Sequence, residues 1–171
     1  MAHIGCTVKL LKALKMPTAQ IVKPATDADP RFHWHANLLM VNRRPCVLFV
    51  HDLSLFNLMI PDFPVNKPDY ASDVFLSWLS TVLQDGDTPK PMIESFLKGH
   101  ASLAWGKTSN RSVIGSMNEF MMYYELMLDE IGGIDSHQFP AQIQRMNQII
   151  MKGIDYQHPI DRLQAILKEI V

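Results

Sequence analysis

The fold is decided by the stretch Trp34-His35-Ala36-Asn37-Leu38-Leu39-Met40-Val41-Asn42-Arg43-Arg44-Pro45-Cys46-Val47-Leu48-Phe49-Val50. Residues 34–41 are mostly apolar and extended, and residues 42–45 have the composition of a turn. The second arm, residues 46–50, is an unbroken apolar run, which is typical of a strand covered on both faces. The stretch therefore predicts an antiparallel hairpin whose second arm is a central, buried strand.

Further elements flank the hairpin on both sides. Thr7 is placed to cap a short helix that carries Leu10 and Leu14 and that Pro17 ends. A third strand is predicted over Leu55–Ile60 and a brief one over Ala101–Trp105. Apolar residues at helical spacing predict further helices over 71–82, from Pro89 to Lys98, over 112–131, from Pro140 onward and after Pro159.

The helix over 112–131 has the most regular pattern. One apolar stripe is formed by Val113, Met117, Phe120, Met121, Tyr124, Leu128 and Ile131. Gly132-Gly133 predicts its end. Gly115 lies inside this helix, where glycine costs about 1 kcal/mol relative to alanine. It suggests close approach of another backbone or of a ligand, and we interpret it as a point of close packing.

These patterns predict an α+β fold, with a small and mainly antiparallel sheet packed by five to six helices. The 171 residues are expected to form a single domain, because no repeat and no separating linker interrupts them. Residues 17–30, which contain Pro17, Pro24 and Pro30, are predicted to be an irregular surface loop. Residues 132–171 are predicted to be a helical extension.

Composition limits the class of protein. The apolar fraction is 47% and the charged fraction 19%, as in globular domains. No apolar run approaches the roughly 18 to 20 residues that span a bilayer, and the N-terminus lacks a signal-peptide pattern. Cys6 and Cys46 are too few for a disulfide framework. We expect a cytoplasmic protein that does not contact a membrane, and its oligomeric state stays open.

Charge is unevenly distributed, although the net value is only −1. Residues 1–44 carry seven basic and two acidic side chains, whereas the remainder carries nine basic and fifteen acidic ones. The basic first third could form a face that meets an anionic partner, or it could be an ordinary solvated surface.

The most informative polar stretch is Trp105-Gly106-Lys107-Thr108-Ser109-Asn110-Arg111-Ser112, between a predicted strand and the most regular helix. A helix N-terminus offers unpaired backbone N–H groups, and two cations beside it favour an anion. The alternative is that Ser109, Asn110 or Ser112 only caps the helix. A phosphate-binding Walker loop is excluded, because position 101, five residues before Gly106, is alanine.

Other chemical motifs are weak. His33 and His35 would share one face of a strand, but no further metal-binding motif accompanies them. We therefore expect neither a metal nor a cofactor. No serine lies in a nucleophile-elbow pattern, and an enzyme would have to use His35 as its acid or base.

The sequence resembles a bacterial family of domains of unknown function. The resemblance is carried by the start Cys6-Thr7-Val8-Lys9-Leu10-Leu11, by the hairpin Trp34-His35-Ala36-Asn37-Leu38-Leu39 and by the block Gly106–Asn118. It covers roughly residues 4 to 131. Ile114 and Glu119 stand where the family pattern more often has Leu and Asp. The resemblance implies that the polar members of the pattern belong to one locus: Thr7, Lys9, Asn37, Lys107, Asn110, Arg111, Ser116 and Asn118.

Three functions follow as hypotheses. The first is a binding module for an anionic, phosphate-bearing ligand, either a nucleotide or a short nucleic acid. The second is a metal-independent hydrolase or transferase that acts on a phosphate ester, and the third is a protein-interacting accessory factor. The expected ligand-binding residues are Lys107, Thr108, Asn110, Arg111, Ser112, Ser116, Asn118, Asn37, Trp34 and Lys9.

Overall fold

The hairpin is present in the computed structural model, which describes residues 1–23 and 28–171. Strands β2 (His33–Val41) and β3 (Arg44–His51) pair antiparallel, as predicted. The turn is only two residues long, and both Asn42 and Arg43 have positive φ, as tight hairpin turns of this type require. Pro45 belongs to β3 instead of the turn, and it is tolerated because the next strand pairs only with residues 47–50.

Three more strands complete a five-stranded sheet in the order β4-β3-β2-β1-β5. Strand β4 (Asn57–Ile60) pairs antiparallel with β3 and matches the predicted third strand. Strand β1 (Ala2–Cys6), which the sequence did not predict, pairs in parallel with both β2 and β5 (Leu103–Lys107). The β4-β3-β2 part of the sheet is therefore antiparallel, and the β2-β1-β5 part is parallel.

The described residues contain six helices packed around this sheet, which confirms the α+β class. In chain order they are α1 (Val8–Ala13), α2 (Pro68–Asp85), α3 (Lys90–Gly99), α4 (Arg111–Ile131), α5 (Phe139–Met146) and α6 (Pro159–Ile170). Short 3₁₀ turns lie at residues 18–20, 30–32 and 152–154. Gly86 is the C-cap of α2, and the predicted end of α4 is confirmed at Gly132, which closes that helix in the left-handed region.

Side chains alternate between the two faces of the sheet, and helices cover both. His35 and Asn37 lie on the face covered by α4, where the Asn37 amide reaches Met121. Trp34 lies on the opposite face, where it packs against Phe75 of α2 and Phe96 of α3. One buried cluster extends from Ile4 to Leu167, so residues from both ends of the chain share the core.

Helix α4 lies against the sheet with the predicted stripe inward. Val113, Met117, Phe120 and Tyr124 are all buried, and the Tyr124 hydroxyl donates to Asn57 on β4. Gly115 is on the outer side of the helix, where an added Cβ would meet nothing within 4 Å. The interpretation of Gly115 as a point of close packing is therefore wrong.

Residues 132–171 are helical over α5 and α6, although α5 ends at Met146 instead of continuing to Ile150. Residues 24–27 of the predicted loop 17–30 lie outside the described residues. Within residues 1–23 and 28–171, no helix combines the length and the apolar character that crossing a bilayer requires.

Candidate functional site

Strands β1 and β5 end side by side at one edge of the sheet, whereas their parallel neighbour β2 continues to Val41. Cys6, at the end of β1, is in register with Lys107 on β5 and with Ala36 on β2. The residues that follow these positions, Thr7 and Thr108, begin the loops at this edge. Strand β1 has one parallel neighbour on each side, β2 and β5. Crevices for ligands in open α/β sheets form outside the carboxyl ends of parallel strands.

A second segment, residues 18–23, lies beside the outer strand β5. The Val22 N–H donates to the Trp105 carbonyl at 2.9 Å, and the Val22 carbonyl lies 3.1 Å from Nε2 of His3. Gly106 permits this approach, because a Cβ there would lie 2.0 Å from the Val22 oxygen. The glycine in the Gly106-Lys107 motif therefore serves backbone packing, not a phosphate loop.

Between this segment and the end of β5 lies a cleft of about 470 Å³. We name it the 18–23/107–109 cleft. Its volume falls within the range of about 300 to 1,000 Å³ that is usual for small-molecule sites. Ammonium groups, hydroxyl groups and apolar side chains all contribute to the lining, which consists of Thr18, Ile21, Val22, Lys23, Lys107, Thr108 and Ser109.

The backbone N–H groups at the start of α4 are largely used within the protein. The Asn110 side chain accepts from the N–H groups of Ser112 and Val113 at 3.1 and 3.3 Å. The N–H groups of Ser109 and Asn110 both donate to Nε2 of His35 at 3.2 Å. Asn110 is thus the cap among the three predicted candidates, and a ligand would be held here by side chains more than by the helix end.

The cap can be tested by Asn110→Ala. This substitution removes the acceptor for two N–H groups, and we expect the free energy of unfolding to fall by about 1 kcal/mol. Urea unfolding of Ser112→Ala is the matched control, because that exposed hydroxyl makes no hydrogen bond within the described residues. A loss for Asn110→Ala no larger than that for the control would show that Asn110 does not cap the helix.

His35 is buried, with a side chain only 2% exposed. Its Nδ1 lies 2.7 Å from Oδ1 of Asp52, and its Nε2 accepts the two backbone N–H groups. Because Nε2 is an acceptor, the proton of the neutral ring is on Nδ1, and this N–H donates a hydrogen bond to the Asp52 carboxylate. Neither nitrogen is available to a substrate, so the geometry does not support His35 as an acid or base.

Asn37 makes structural contacts. Its Oδ1 accepts the Thr7 hydroxyl at 2.7 Å and its Nδ2 donates to the Met121 sulfur at 3.0 Å. The same Thr7 oxygen accepts the Leu10 N–H and caps α1, as predicted. Asn37 therefore connects the start of α1 to α4.

Trp34 does not join this group. It is fully buried on the opposite face of the sheet, where its indole N–H donates to Nε2 of His100 at 2.9 Å. The position of Trp34 does not support its prediction as a ligand-binding residue. Adjacent residues of a strand point to opposite faces, and Trp34 and Asn37 are three positions apart.

The remaining predicted residues are dispersed. Arg111 and Ser112 are exposed at the first turn of α4, beside the cleft but outside its lining. Lys9 is exposed on α1, just beyond the end of β1. Ser116 is buried on α4 near Gly153, and Asn118 is exposed two turns into that helix. Neither belongs to the cleft.

Most of the second wall of the 18–23/107–109 cleft was not predicted. This wall consists of Thr18, Ile21, Val22 and Lys23. These residues lay inside a stretch interpreted as an irregular loop. The available signal was Lys23 in the basic first third. Two other cations in residues 1–44, Arg31 and Arg44, form ion pairs with the carboxylates of Asp29, Asp62 and Asp135. Within the described residues, the positive charge of this region that stays available to a ligand is therefore carried mainly by its lysines.

Histidines gather on the α4 face of the sheet, where the His3 and His33 ring centroids are 5.8 Å apart. Burial lowers the pKa of His33 below its usual value, and the nearby Asp52 and Asp29 carboxylates oppose this shift. Among the described residues, no three potential ligands are placed to hold a metal ion.

A second concavity lies between α4 and α5. It has a volume of about 460 Å³ and is lined by residues that include Leu126, Met127, Met146 and Ile149. Met127 is buried, whereas Met122 on the same helix is half-exposed. No predicted ligand-binding residue lines this groove.

A family model described as a domain of unknown function (DUF6933) matches residues 3–162, which extends the resemblance through α5 and into α6. No curated protein and no solved structure matches the chain.

Proposed function

The chain belongs to the DUF6933 family of domains of unknown function, and on that premise we propose that it is a binding module for an anionic, phosphate-bearing ligand. The ligand is of nucleotide size and occupies the 18–23/107–109 cleft. A cytoplasmic location belongs to the same proposal, and the two buried free thiols, Cys6 and Cys46, are compatible with it.

One observation carries the proposal. Lys23 and Lys107 come from opposite walls of a single cleft, although 84 positions separate them in the sequence. Both side chains are exposed, and neither forms an ion pair within the described residues. Two cations that converge on a concave surface attract an anion, and exposed lysines keep the flexibility to adjust to phosphate oxygens.

The rest of the lining fits a ligand that has both a charged and an apolar part. Thr18, Thr108 and Ser109 offer hydroxyl groups that can donate to phosphate oxygens. Ile21 and Val22 offer apolar surface on which the flat face of a base can lie. The cleft volume supports a mononucleotide, or the terminal nucleotide of a short strand, more than a long nucleic acid.

The enzyme hypothesis has less support. That hypothesis requires His35 as the general acid or base. The His35 imidazole is buried, and both of its nitrogens form hydrogen bonds within the protein. The geometry favours a ligand that is bound and left unchanged.

Calorimetric titration of ADP tests the proposal. Lys107→Ala and Lys23→Ala should each weaken ADP binding about tenfold, because each removes one charge-assisted contact to phosphate. Lys168→Ala is the matched control, since it removes an equally exposed lysine from α6, outside the cleft. Adenosine, which lacks phosphate, should bind weakly to all four proteins.

Salt gives an independent check, because binding through two exposed cations should weaken as ionic strength rises. Equal ADP affinity in wild type and both cleft variants would refute the proposal. Conversion of ADP during the titration would favour the enzyme, and tighter binding of a short oligonucleotide than of ADP would identify the ligand as nucleic acid.

A further inference from the structure

One buried side chain of the sheet holds the loop between β5 and α4 in place. His35, on the central strand β2, accepts hydrogen bonds from two consecutive backbone N–H groups of this loop, those of Ser109 and Asn110. Ser109 lines the cleft, and Asn110 caps α4. One imidazole nitrogen therefore sets the position of both the cleft wall and the helix start.

The acceptor role of that nitrogen depends on Asp52. A neutral imidazole has one N–H and one acceptor nitrogen, and a hydrogen bond at one nitrogen decides which tautomer is present. Asp52, just beyond β3, lies 2.7 Å from Nδ1 and holds the proton there. Nε2 is thereby kept free of a proton and faces the two loop N–H groups.

We infer that His35 and Asp52 are positioning residues of the binding loop and that protonation of His35 releases that loop. This inference rests on the proposed function for the identity of the site. Protonation of Nε2 would replace the acceptor with an N–H that faces the two loop N–H groups. Since N–H groups cannot donate to one another, both loop hydrogen bonds would be lost. The cleft is thus fully formed only while His35 is neutral.

The charged groups around His35 oppose one another. The Asp52 carboxylate attracts an imidazolium, whereas His3 on β1 and His33 on β2 lie on the same face and repel one when they are charged. The N-terminus of α4 adds a positive dipole end. A proton at Nε2 would in addition face the two loop N–H groups directly.

The loop can be observed without any ligand by nuclear magnetic resonance. The imidazole nitrogens of His35 should report an Nδ1–H tautomer in the neutral protein. As the pH is lowered until the His35 ring takes up a proton, the Ser109 and Asn110 amide signals should move together with the ring signals. Their hydrogen exchange should then accelerate about tenfold, beyond the intrinsic effect of pH.

His35→Gln is the decisive variant, because its amide oxygen can replace Nε2 as an acceptor but does not titrate. It should keep the loop amides protected and remove their pH dependence, whereas His35→Ala should lose the protection at every pH. Asp52→Ala should release the imidazole to the other tautomer and also expose the loop amides. The chemical shifts of α6 amides provide the check that each variant is folded.

ADP binding is measured in parallel on wild type and His35→Gln. Wild-type affinity should fall more steeply with acid than that of His35→Gln, whose profile contains only the titration of the ligand and of other groups. Ser109 and Asn110 amides that stay protected in His35→Ala, or that ignore pH in wild type, would overturn the inference. Since the amide measurements need no ligand, a failure of ADP to bind would contradict the proposed function alone.

Discussion

Trp34→Ala should lower the free energy of unfolding by about 4 kcal/mol, the usual cost of deleting a large buried aromatic side chain. Trp34 is fully buried and packs edge-on against His51 and Phe75. Its indole N–H is also the donor to His100 at 2.9 Å. The substitution leaves both a cavity and an unpaired imidazole nitrogen, as urea unfolding should show.

Two comparisons separate these contributions. Trp34→Phe keeps most of the volume and should lose about 1 to 3 kcal/mol, the cost of leaving His100 without its donor. Trp78→Ala, at a partly buried position on α2, should cost less than Trp34→Ala. A loss below about 1 kcal/mol for Trp34→Ala would contradict the placement of this side chain in the core.

Acid should destabilise the fold before most carboxylates are protonated. Burial lowers the pKa of His51 to about 4 and that of His100 to about 4. Both rings are neutral in the folded protein, since the His51 nitrogens face Ser54 and the Arg31 carbonyl and His100 accepts from Trp34. The unfolded chain binds these two protons near the ordinary histidine pKa of about 6.5.

The sign follows from proton linkage. Between about pH 6.5 and pH 4 the unfolded state holds more protons than the folded state, so stability falls as the pH falls. Each histidine contributes roughly 3 kcal/mol over this window. Above about pH 6.5 these two residues should add no pH dependence.

Urea unfolding at a series of pH values measures this slope. His100→Gln should remove about half of it, because one titrating group is gone. His137→Gln is the matched control, since His137 is exposed in the segment before α5. A stability profile that is flat from about pH 6.5 to pH 4.5 would show that the two rings are not buried in the neutral form.

The fold was predictable where the pattern is local. The hairpin followed from two apolar arms around a turn, α4 followed from a seven-residue stripe, and both are confirmed. Strand β1 was not predictable in the same way, because its five residues include His3 and Gly5 and its partners lie near residues 34 and 105. A short parallel strand is specified by partners distant in sequence, and a local pattern does not show them.

Only one of the two walls of the candidate site could be predicted from the sequence. The polar stretch between β5 and α4 identified Lys107 and Thr108, because a strand end followed by a helix start concentrates cations and hydroxyl groups. The wall formed by residues 18–23 depends on contacts with Gly106 and His3, which no local pattern reveals. Trp34 could have been excluded from the sequence, because strand alternation already places it opposite His35 and Asn37.

The most direct test of the binding function is an amide-resolved titration of the wild-type protein with ADP, recorded by nuclear magnetic resonance. The account predicts that the largest shift changes fall on residues 18–23 and 107–109, that they saturate, and that they weaken in Lys107→Ala. Shift changes confined to the groove between α4 and α5, or no saturable change at all, would contradict it.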